Sequence, residues 1–246
     1  MTFATYEKSG RIATITLNKP DARNAIGTQQ DCDDLAGALW KANDDPEINA
    51  VILTGAGKAF CSGGDLRAIR QRSGIGPRAT PDGTRANYRR GVHSIIKALA
   101  DVEVATIAAI NGPAIGLGLD IAILCDMRIA AMNAKMASSF VKVGIIPGDG
   151  GAWILTQAIG STYAAELVLT GDTIDAAEAH RIGLVNKVVA DESLMAEAQT
   201  FAERVAVNPP RTVRLAKRLL REAQHGRLHD VLELSAAFQA LAHETR

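Results

Sequence analysis

Short runs of apolar and β-branched residues recur along most of the chain and predict strands. One run alternates in polarity, as a half-buried strand does, and the run at residues 49–54 is mostly apolar, as in a strand buried on both faces. Between the first two runs, residues 28–43 carry apolar side chains at helical spacing, with Thr28 suited to cap that helix. The predicted strands span residues 11–17, 49–54, 104–110 and 127–131.

The pattern changes in the last third of the chain. Asp175 is placed to cap a short helix, and residues 184–189 predict a last strand. After Asp191 the pattern is helical to the end, with a break at residues 208–210, where two prolines follow an asparagine. This order predicts a mixed α/β core over residues 1–190 and a helical region over residues 191–246.

Composition narrows the classes of function. The chain has 246 residues, and its 27 Lys and Arg balance its 27 Asp and Glu. This balance gives no net field to attract nucleic acid or an anionic membrane, so we expect neither as a partner. There is no signal peptide and no apolar run of about 20 residues, which predicts a soluble, cytoplasmic protein. The three cysteines are widely spaced and predict reduced thiols, and no His, Asp or Glu cluster has metal-ligand spacing.

Two glycine-rich turns carry the candidate chemistry. Residues 59–67 and residues 110–120 each lead from a predicted strand into a helix. Glycines let backbone N–H groups approach a ligand closely, and a helix N-terminus adds free N–H groups. Two such turns facing each other could form an oxyanion hole, although glycine turns can also serve only as connections. The spacings of a P-loop, a dinucleotide-binding turn and a hydrolase nucleophile elbow are all absent.

Six segments in order carry a family resemblance over nearly the whole chain. They are NKPDARNAI (18–26), AFCSGGDLR (59–67), INGPAIGLGLD (110–120), LCDMR (124–128), VGIIPGDGG (143–151) and LTGDTIDAAEAHRIGLVN (169–186). Together they resemble the enoyl-CoA hydratase/isomerase (crotonase) family. The resemblance implies a crotonase-like spiral of ββα units with a C-terminal α-helical trimerisation region. It also implies an acyl-CoA thioester substrate, no cofactor beyond the coenzyme A of that substrate, and a homotrimer or a dimer of trimers.

The resemblance assigns roles to individual positions. The oxyanion-hole N–H groups fall on Gly64 and Leu117, where an enolate oxygen from the thioester would be bound. The guanidinium groups of Arg23 and Arg67 suit phosphate oxygens, with a solvated surface charge as the alternative role for both. The positions that match the family's coenzyme A contacts are Arg23, Ala25, Ser62, Asp65, Leu66 and Arg67.

The acid and base differ from the family's hydratase pattern, in which two glutamates flank a water molecule. The first glutamate position is Asp120, and the second is Phe140, which can neither give nor take a proton. Asp149 is the candidate replacement, with the cap of the following helix as the alternative role. Trp153, just after this turn, is a candidate for the wall of the acyl pocket, with plain packing as the alternative.

These departures leave the reaction open. The resemblance implies enoyl-CoA hydration or enoyl- or dienoyl-CoA isomerisation in fatty-acid or related acyl-CoA catabolism. A crotonase-fold hydrolase or lyase and a non-catalytic acyl-CoA-binding protein are the alternatives. Residues 66–90, rich in Arg, Gly, Pro, Ser and Thr, predict a mobile loop that breaks one helix before another begins near Thr84, and residues 68–90 are expected to contribute to the acyl pocket. Family members usually continue beyond a helix like AFQALAHET, whereas this sequence stops at Arg246, which predicts a short terminus or a lost tail.

Overall fold

The computed structural model describes residues 2–244. A six-stranded sheet, ordered β1-β2-β3-β4-β6-β9, forms the centre, and a three-stranded sheet, β5-β7-β8, lies beside it. In the larger sheet only the β1–β2 pair is antiparallel, and each following neighbour runs parallel. The strands are β1 (Ala4–Ser9), β2 (Ile12–Leu17), β3 (Ala50–Gly55), β4 (Ala105–Ile110), β5 (Ala114–Ile115), β6 (Met127–Ala131), β7 (Lys135–Ala137), β8 (Thr173–Asp175) and β9 (Lys187–Val189).

Helices connect the parallel strands and then form the C-terminal part of the described chain. Three short 3-10 helices, Pro20–Ala22, Ser139–Val143 and Asp191–Ser193, supplement the α-helices. The α-helices are α1 (Gln29–Asp44), α2 (Leu66–Arg70), α3 (Pro81–Arg90), α4 (Val92–Asp101), α5 (Leu117–Leu124), α6 (Gly151–Thr170), α7 (Ala176–Arg181), α8 (Leu194–Ala206), α9 (Pro210–Ala223) and α10 (Leu228–His243).

The predicted strands and the predicted cap of α1 are confirmed. Every residue of β3 and β4 is buried, as their unbroken apolar sequences indicate. At the start of α1 the Asp31 N–H donates to the Thr28 hydroxyl, and the Thr28 N–H donates to the Asp31 carboxylate. This reciprocal pair satisfies two N–H groups that the first helical turn leaves unpaired. The loop after β2 is thereby joined firmly to α1.

The sheet is covered on both faces. Side chains of β2, β3, β4 and β6 pack on one face against α1, α4 and α5, and on the other face against α8. Helix α8 buries its alanines and one leucine against the sheet and so completes the core. It does this although it lies beyond residue 190, in the part of the sequence that contains only helices. The predicted division at residue 190 follows the change in secondary structure rather than the packing.

The segment between residues 66 and 90 holds more regular structure than its composition indicates. It contains α2, and α3 begins at Pro81 rather than near Thr84 because the Thr80 hydroxyl accepts a hydrogen bond from the Gly83 N–H. Proline at the first helical position needs no hydrogen-bond acceptor for its nitrogen. The predicted interruption between two helices is confirmed, and the second helix begins a few residues earlier than expected.

Helices α9 and α10 extend away from the sheet. Lys217 of α9 is buried and donates to the Val104 carbonyl at 2.7 Å, and it pairs with Asp126 at 2.7 Å. Helix α10 packs on α9 and leaves Leu228 and Leu232 more than half exposed. Between residues 2 and 244 no helix is both long and apolar enough to cross a bilayer. Arg246, the end of the chain, lies outside the described residues.

Candidate functional site

The two glycine-rich turns lie side by side at the ends of β3 and β4. The Cys61 N–H donates to the Pro113 carbonyl at 3.1 Å, and the Ile115 N–H donates to the Cys61 carbonyl at 3.0 Å. Gly118 packs so tightly on Cys61 that a Cβ there would lie 2.8 Å from the Cys61 Cβ. Only glycine fits this approach, so the register between the two turns is set by backbone contact.

The loop at residues 20–26 holds the first turn from the other side. The Asn24 side chain is buried and donates to the Ala59 carbonyl at 2.8 Å and to the Phe60 carbonyl at 3.1 Å. Asn24 adopts a positive φ of 57°, a conformation that asparagine tolerates better than most residues. The Ser62 N–H then donates to the Arg23 carbonyl, which brings the two segments that resemble the family's coenzyme A contacts together.

The Gly64 and Leu117 N–H groups open into one cavity. Both residues line that cavity, and neither N–H donates to an acceptor within residues 2–244. Leu117 is the first residue of α5, so its N–H lies among those that helix geometry leaves unpaired. Gly116, at φ 54°, turns the chain sharply into this helix. Two unpaired donors on one cavity form a suitable site for an oxygen that gains negative charge.

Asp120 and Asp149 meet next to this cavity, although they lie far apart in sequence. Asp149 lines the cavity and is 4% exposed, whereas Asp120 lies behind it and is fully buried. Both Asp120 oxygens and the Asp149 Oδ1 are buried and receive no hydrogen bond from a donor in the described part of the chain. Two unpartnered carboxylates in contact would be costly if both were charged, so one shared proton is the stable arrangement.

The protonation of this pair follows from its surroundings. The pKa of the Asp120 carboxyl lies well above its usual range, mainly because the group is buried and also because the charge of Asp149 is close to it. Burial also raises the pKa of Asp149, but its interaction with Asp120 and the backbone N–H groups of residues 149 and 151 oppose that rise. Of the two carboxyl groups, Asp120 is therefore the one whose protonated form the surroundings favour more strongly.

Asp149 does not cap α6. The residue before the helix is Gly150, at φ 99°, and no side chain there accepts a capping hydrogen bond. Gly151 instead packs against the Asp120 carboxyl, since a Cβ at residue 151 would lie 2.9 Å from the Asp120 Cγ. The glycines of this turn therefore make room for the carboxyl pair, and Asp149 turns towards the cavity.

The remaining walls of the cavity are mostly apolar. Phe140 closes one side, with its ring about 3.4 Å from where a Cβ of Gly116 would be. Ile69, Ile75 and Tyr88 close the opposite side, so the segment between residues 66 and 90 contributes a wall of the cavity. An apolar cavity with a few inward-facing polar groups is the usual form of a site for a small organic group.

The other predicted contact residues are distributed around this cavity. Ser62 and Leu66 line it, while Arg23 and Arg67 are exposed. The Asp65 carboxylate accepts from the Arg67 N–H at 2.8 Å as the cap of α2. The remaining two, Ala25 and Trp153, do not line the cavity.

Trp153 points away from the site. It is 50% exposed, and its ring lies 5.3 Å from the ring of His225 between α9 and α10. Its position just after the glycine turn suggested a role in the wall of the pocket, but α6 turns through about 100° per residue and carries this side chain to another face. The structure therefore does not bring Trp153 together with the carboxyl pair.

Tyr88 and His93 lie at the site, although no sequence motif predicts that position for either residue. Tyr88 lines the cavity, and burial, followed by the charge of Asp149, raises the pKa of its phenol. The His93 Nε2–H donates to the Gly148 carbonyl at 2.7 Å, which holds the turn that carries Asp149. Both contacts cross from α3 and α4 to a turn more than 50 residues later, so neither has a local sequence signal.

Comparison with known proteins identifies the family. The family model for enoyl-CoA hydratase/isomerase matches residues 7–245. A probable enoyl-CoA hydratase of Mycobacterium bovis is 37% identical over 234 residues, which are 94% of this chain and 87% of that protein. A short-chain-enoyl-CoA hydratase of Clostridium acetobutylicum is 39% identical, over 87% of this chain and 79% of that protein.

Solved structures match the fold as well. The enoyl-CoA hydratase from Bacillus anthracis has a TM-score of 0.91 at 31% identity, covering 99% of this chain and 92% of that one. A putative enoyl-CoA hydratase/isomerase from Mycobacterium abscessus has a TM-score of 0.91 at 34% identity, with the same coverage. The fold expected from the six segments is confirmed, and the chain is an enzyme that belongs to the enoyl-CoA hydratase/isomerase (crotonase) family.

Proposed function

We propose that this enzyme moves the double bond of an unsaturated acyl-CoA, with Asp149 as the group that takes and returns the proton. One observation carries the proposal: of the two paired carboxyl groups, Asp149 faces the cavity and Asp120 is buried behind it. Hydration in this family's pattern requires two groups on either side of a water molecule, and Phe140 stands at the second position. A single carboxylate that faces the substrate suits a proton shuttle.

The reaction starts with the thioester oxygen between the Gly64 and Leu117 N–H groups. For a 3-enoyl-CoA, the Asp149 carboxylate removes a proton from the α-carbon, and the electron pair moves onto the thioester oxygen as a dienolate. The two N–H groups stabilise that charge, and removing one such donor typically costs about 2.7–4 kcal/mol of transition-state stabilisation. Asp149 then returns the proton to the γ-carbon, so the double bond lies between the α- and β-carbons and the mass is unchanged.

Asp120 acts on Asp149 rather than on the substrate. Its buried carboxyl holds a proton and donates a hydrogen bond that keeps the neighbouring carboxylate ionised and oriented. Burial meanwhile raises the pKa of Asp149, which makes it a stronger base than an exposed aspartate. The pair thus divides two roles between identical side chains, because their surroundings differ.

The coenzyme A part of the substrate would bind at the mouth of the cavity. Arg23 and Arg67 are exposed beside the first turn and suit its phosphate groups. Ser62 and Leu66 line the cavity with Gly64, whereas Ala25 does not. The enzyme would need no other cofactor. A homotrimer or a dimer of trimers is proposed as the assembly, supported by the exposed leucines on α10.

Hydration is the second candidate because the similar proteins are named as enoyl-CoA hydratases. In that reaction a water molecule in the cavity would lose a proton to Asp149 and attack the β-carbon. The α-carbon would then receive a proton from the same carboxyl group. One carboxyl group would have to serve both steps, which the shared proton of the pair could support.

A substrate panel separates these reactions. Purified enzyme is given 2-enoyl-, 3-enoyl- and 3,5-dienoyl-CoA esters of equal chain length, and the products are followed by mass and ultraviolet absorbance. Isomerisation leaves the mass unchanged and shifts the absorbance, whereas hydration adds the mass of one water. Release of free coenzyme A would indicate a hydrolase, and tight binding without turnover would indicate a non-catalytic binding protein. Either of the last two results contradicts the proposal.

Asp149→Asn tests the base directly. The variant keeps the size of the side chain but removes the base, so we expect a loss of at least about a hundredfold in kcat. Asp172→Asn is the matched control, since Asp172 is exposed and pairs only with Lys142 outside the cavity. Full activity in Asp149→Asn would rule out the proposed shuttle.

A further inference from the structure

A second cleft lies against the catalytic cavity and is lined by basic side chains. Arg85, Arg89, His93 and Lys97 line it, and no aspartate or glutamate does. These four residues are spaced four apart along α3 and α4, so they lie on one side of the helix pair despite the break at Gly91.

The charges in this cleft lack partners. Within residues 2–244, Arg85, Arg89 and Lys97 form no ion pair within 4 Å and no side-chain hydrogen bond, whereas Lys142 and Arg181, for example, have carboxylate partners. Arg85 and Arg89 are like charges four residues apart on α3, an arrangement that destabilises a helix. A bound anion would offset that repulsion.

The cleft and the cavity share a wall. Tyr88, Ile145 and Gly148 line both spaces, and Gly148 immediately precedes Asp149. Ile146, which is 76% exposed, adds an apolar surface to the far wall of the cleft. An acyl chain that passes Asp149 along this wall would therefore leave the apolar cavity and enter the cleft, which combines an apolar surface with a cationic rim. Arg23 and Arg67, the proposed contacts for the phosphates, do not line this cleft.

We infer that the cleft binds a carboxylate at the far end of the acyl group, which makes dicarboxylic acid monothioesters of coenzyme A the substrate class. The inference rests on the proposed function, because it needs the thioester at the Gly64 and Leu117 N–H groups. The cations then select the acyl group by its terminal charge. The apolar cavity holds the carbon chain between the two ends.

Binding of unreactive saturated esters tests this directly. Succinyl-, glutaryl-, adipyl- and pimelyl-CoA are compared by titration calorimetry with neutral acyl-CoA esters of the same carbon number. We expect at least one dicarboxylic ester to bind about tenfold more tightly than its neutral counterpart, from the summed effect of several exposed charge pairs. The preference should shrink as salt concentration rises.

Charge-removing variants locate the preference. The double variant Arg85→Gln/Arg89→Gln should lose it, and both side chains are exposed without polar partners, so the fold is retained. Arg90→Gln is the matched control, because Arg90 lies on the same helix but does not line the cleft. Equal weakening of dicarboxylic and neutral esters by the double variant would show that the arginines bind phosphates of coenzyme A, which overturns the inference.

If no dicarboxylic ester binds more tightly than its neutral counterpart, the inference is overturned as well. The proposed function is judged separately by turnover of neutral unsaturated esters in the wild-type enzyme. Isomerisation of neutral esters without any dicarboxylic preference refutes only the charged cleft. A clear dicarboxylic preference without isomerisation of any unsaturated ester refutes only the proposed reaction.

Discussion

Replacing Gly151 with alanine would place a methyl group against the buried carboxyl pair. A Cβ at this position would lie 2.9 Å from the Asp120 Cγ and 2.9 Å from its Oδ1, and closer still to its Oδ2. The three nearest atoms all belong to the Asp120 carboxyl, and Gly151 has no positive φ, so the backbone itself tolerates alanine. The substitution therefore acts first on Asp120.

The size of the effect follows from these distances. Carbon atoms in contact prefer separations of about 3.5–4.0 Å, so the Asp120 carboxyl would have to move by roughly 1 Å. A misplacement of about 1 Å in a catalytic arrangement can cost about a hundredfold in rate, which corresponds to about 2.7 kcal/mol. Because Asp149 relies on Asp120 for its hydrogen bond, we expect Gly151→Ala to lower kcat by about a hundredfold.

The assay compares kcat with binding and stability. The kcat is measured on the best substrate from the panel, and the affinity for a saturated acyl-CoA is expected to stay within about threefold, since residue 151 does not line the cavity. Gly37→Ala is the control: it lies inside α1 with nothing within 4 Å of a new Cβ. That change should leave kcat unaltered and stabilise the helix by up to about 1 kcal/mol.

A double variant identifies the cause. In an Asp120→Ala background the carboxyl group is gone, so Gly151→Ala should reduce kcat no further. Such non-additivity is expected for residues in direct contact. Wild-type kcat in the single Gly151→Ala variant, with the fold intact, would refute the role given to the carboxyl pair. A full additional loss in the double variant would show that Gly151 acts by another route.

Three further substitutions test the surroundings of the site. We expect Asp120→Asn to raise the melting temperature more at pH 8 than at pH 5. The buried carboxyl, whose pKa is raised, stabilises the fold below its unfolded-state pKa, and that stability is lost as pH rises through its folded-state pKa. An equal change of melting temperature at both pH values would contradict this. His93→Ala removes the donor to the Gly148 carbonyl and should lower kcat about tenfold in steady-state assays, without matching loss of acyl-CoA affinity in calorimetry. Lys217→Met leaves the Val104 carbonyl unpaired and should lower the free energy of unfolding by about 1–3 kcal/mol in urea denaturation, with kcat unchanged.

Local patterns in the sequence predicted much of the fold. The unbroken apolar sequences of β3 and β4 specify strands buried on both faces, and the Thr28 cap specifies the start of α1. These signals act within a few residues, so they can be interpreted before the tertiary structure is known. By contrast, β1 carries mostly exposed residues at the edge of the sheet, where polar side chains weaken the alternation that predicts a strand.

The candidate site was only partly predictable. The glycine turns are visible as sequence motifs, because a close backbone approach requires glycine at defined positions, whereas the assignment of Gly64 and Leu117 rests on the family resemblance. The roles of the two carboxyl groups do not follow from motifs. Asp149 has the same sequence context whether it caps α6 or faces a cavity, and only the packing of Asp120 against Gly151 distinguishes these cases.

The sequence by itself determined the order of strands and helices, the two turns and the kinds of chemical group available. It did so because hydrophobic periodicity, capping and glycine conformation are local properties of a chain. The tertiary structure decided which groups meet: it buried Asp120 behind Asp149, placed Tyr88 and His93 beside that pair, and set a cationic cleft against the same wall. Burial and proximity control protonation, and both depend on contacts between residues that are distant in sequence.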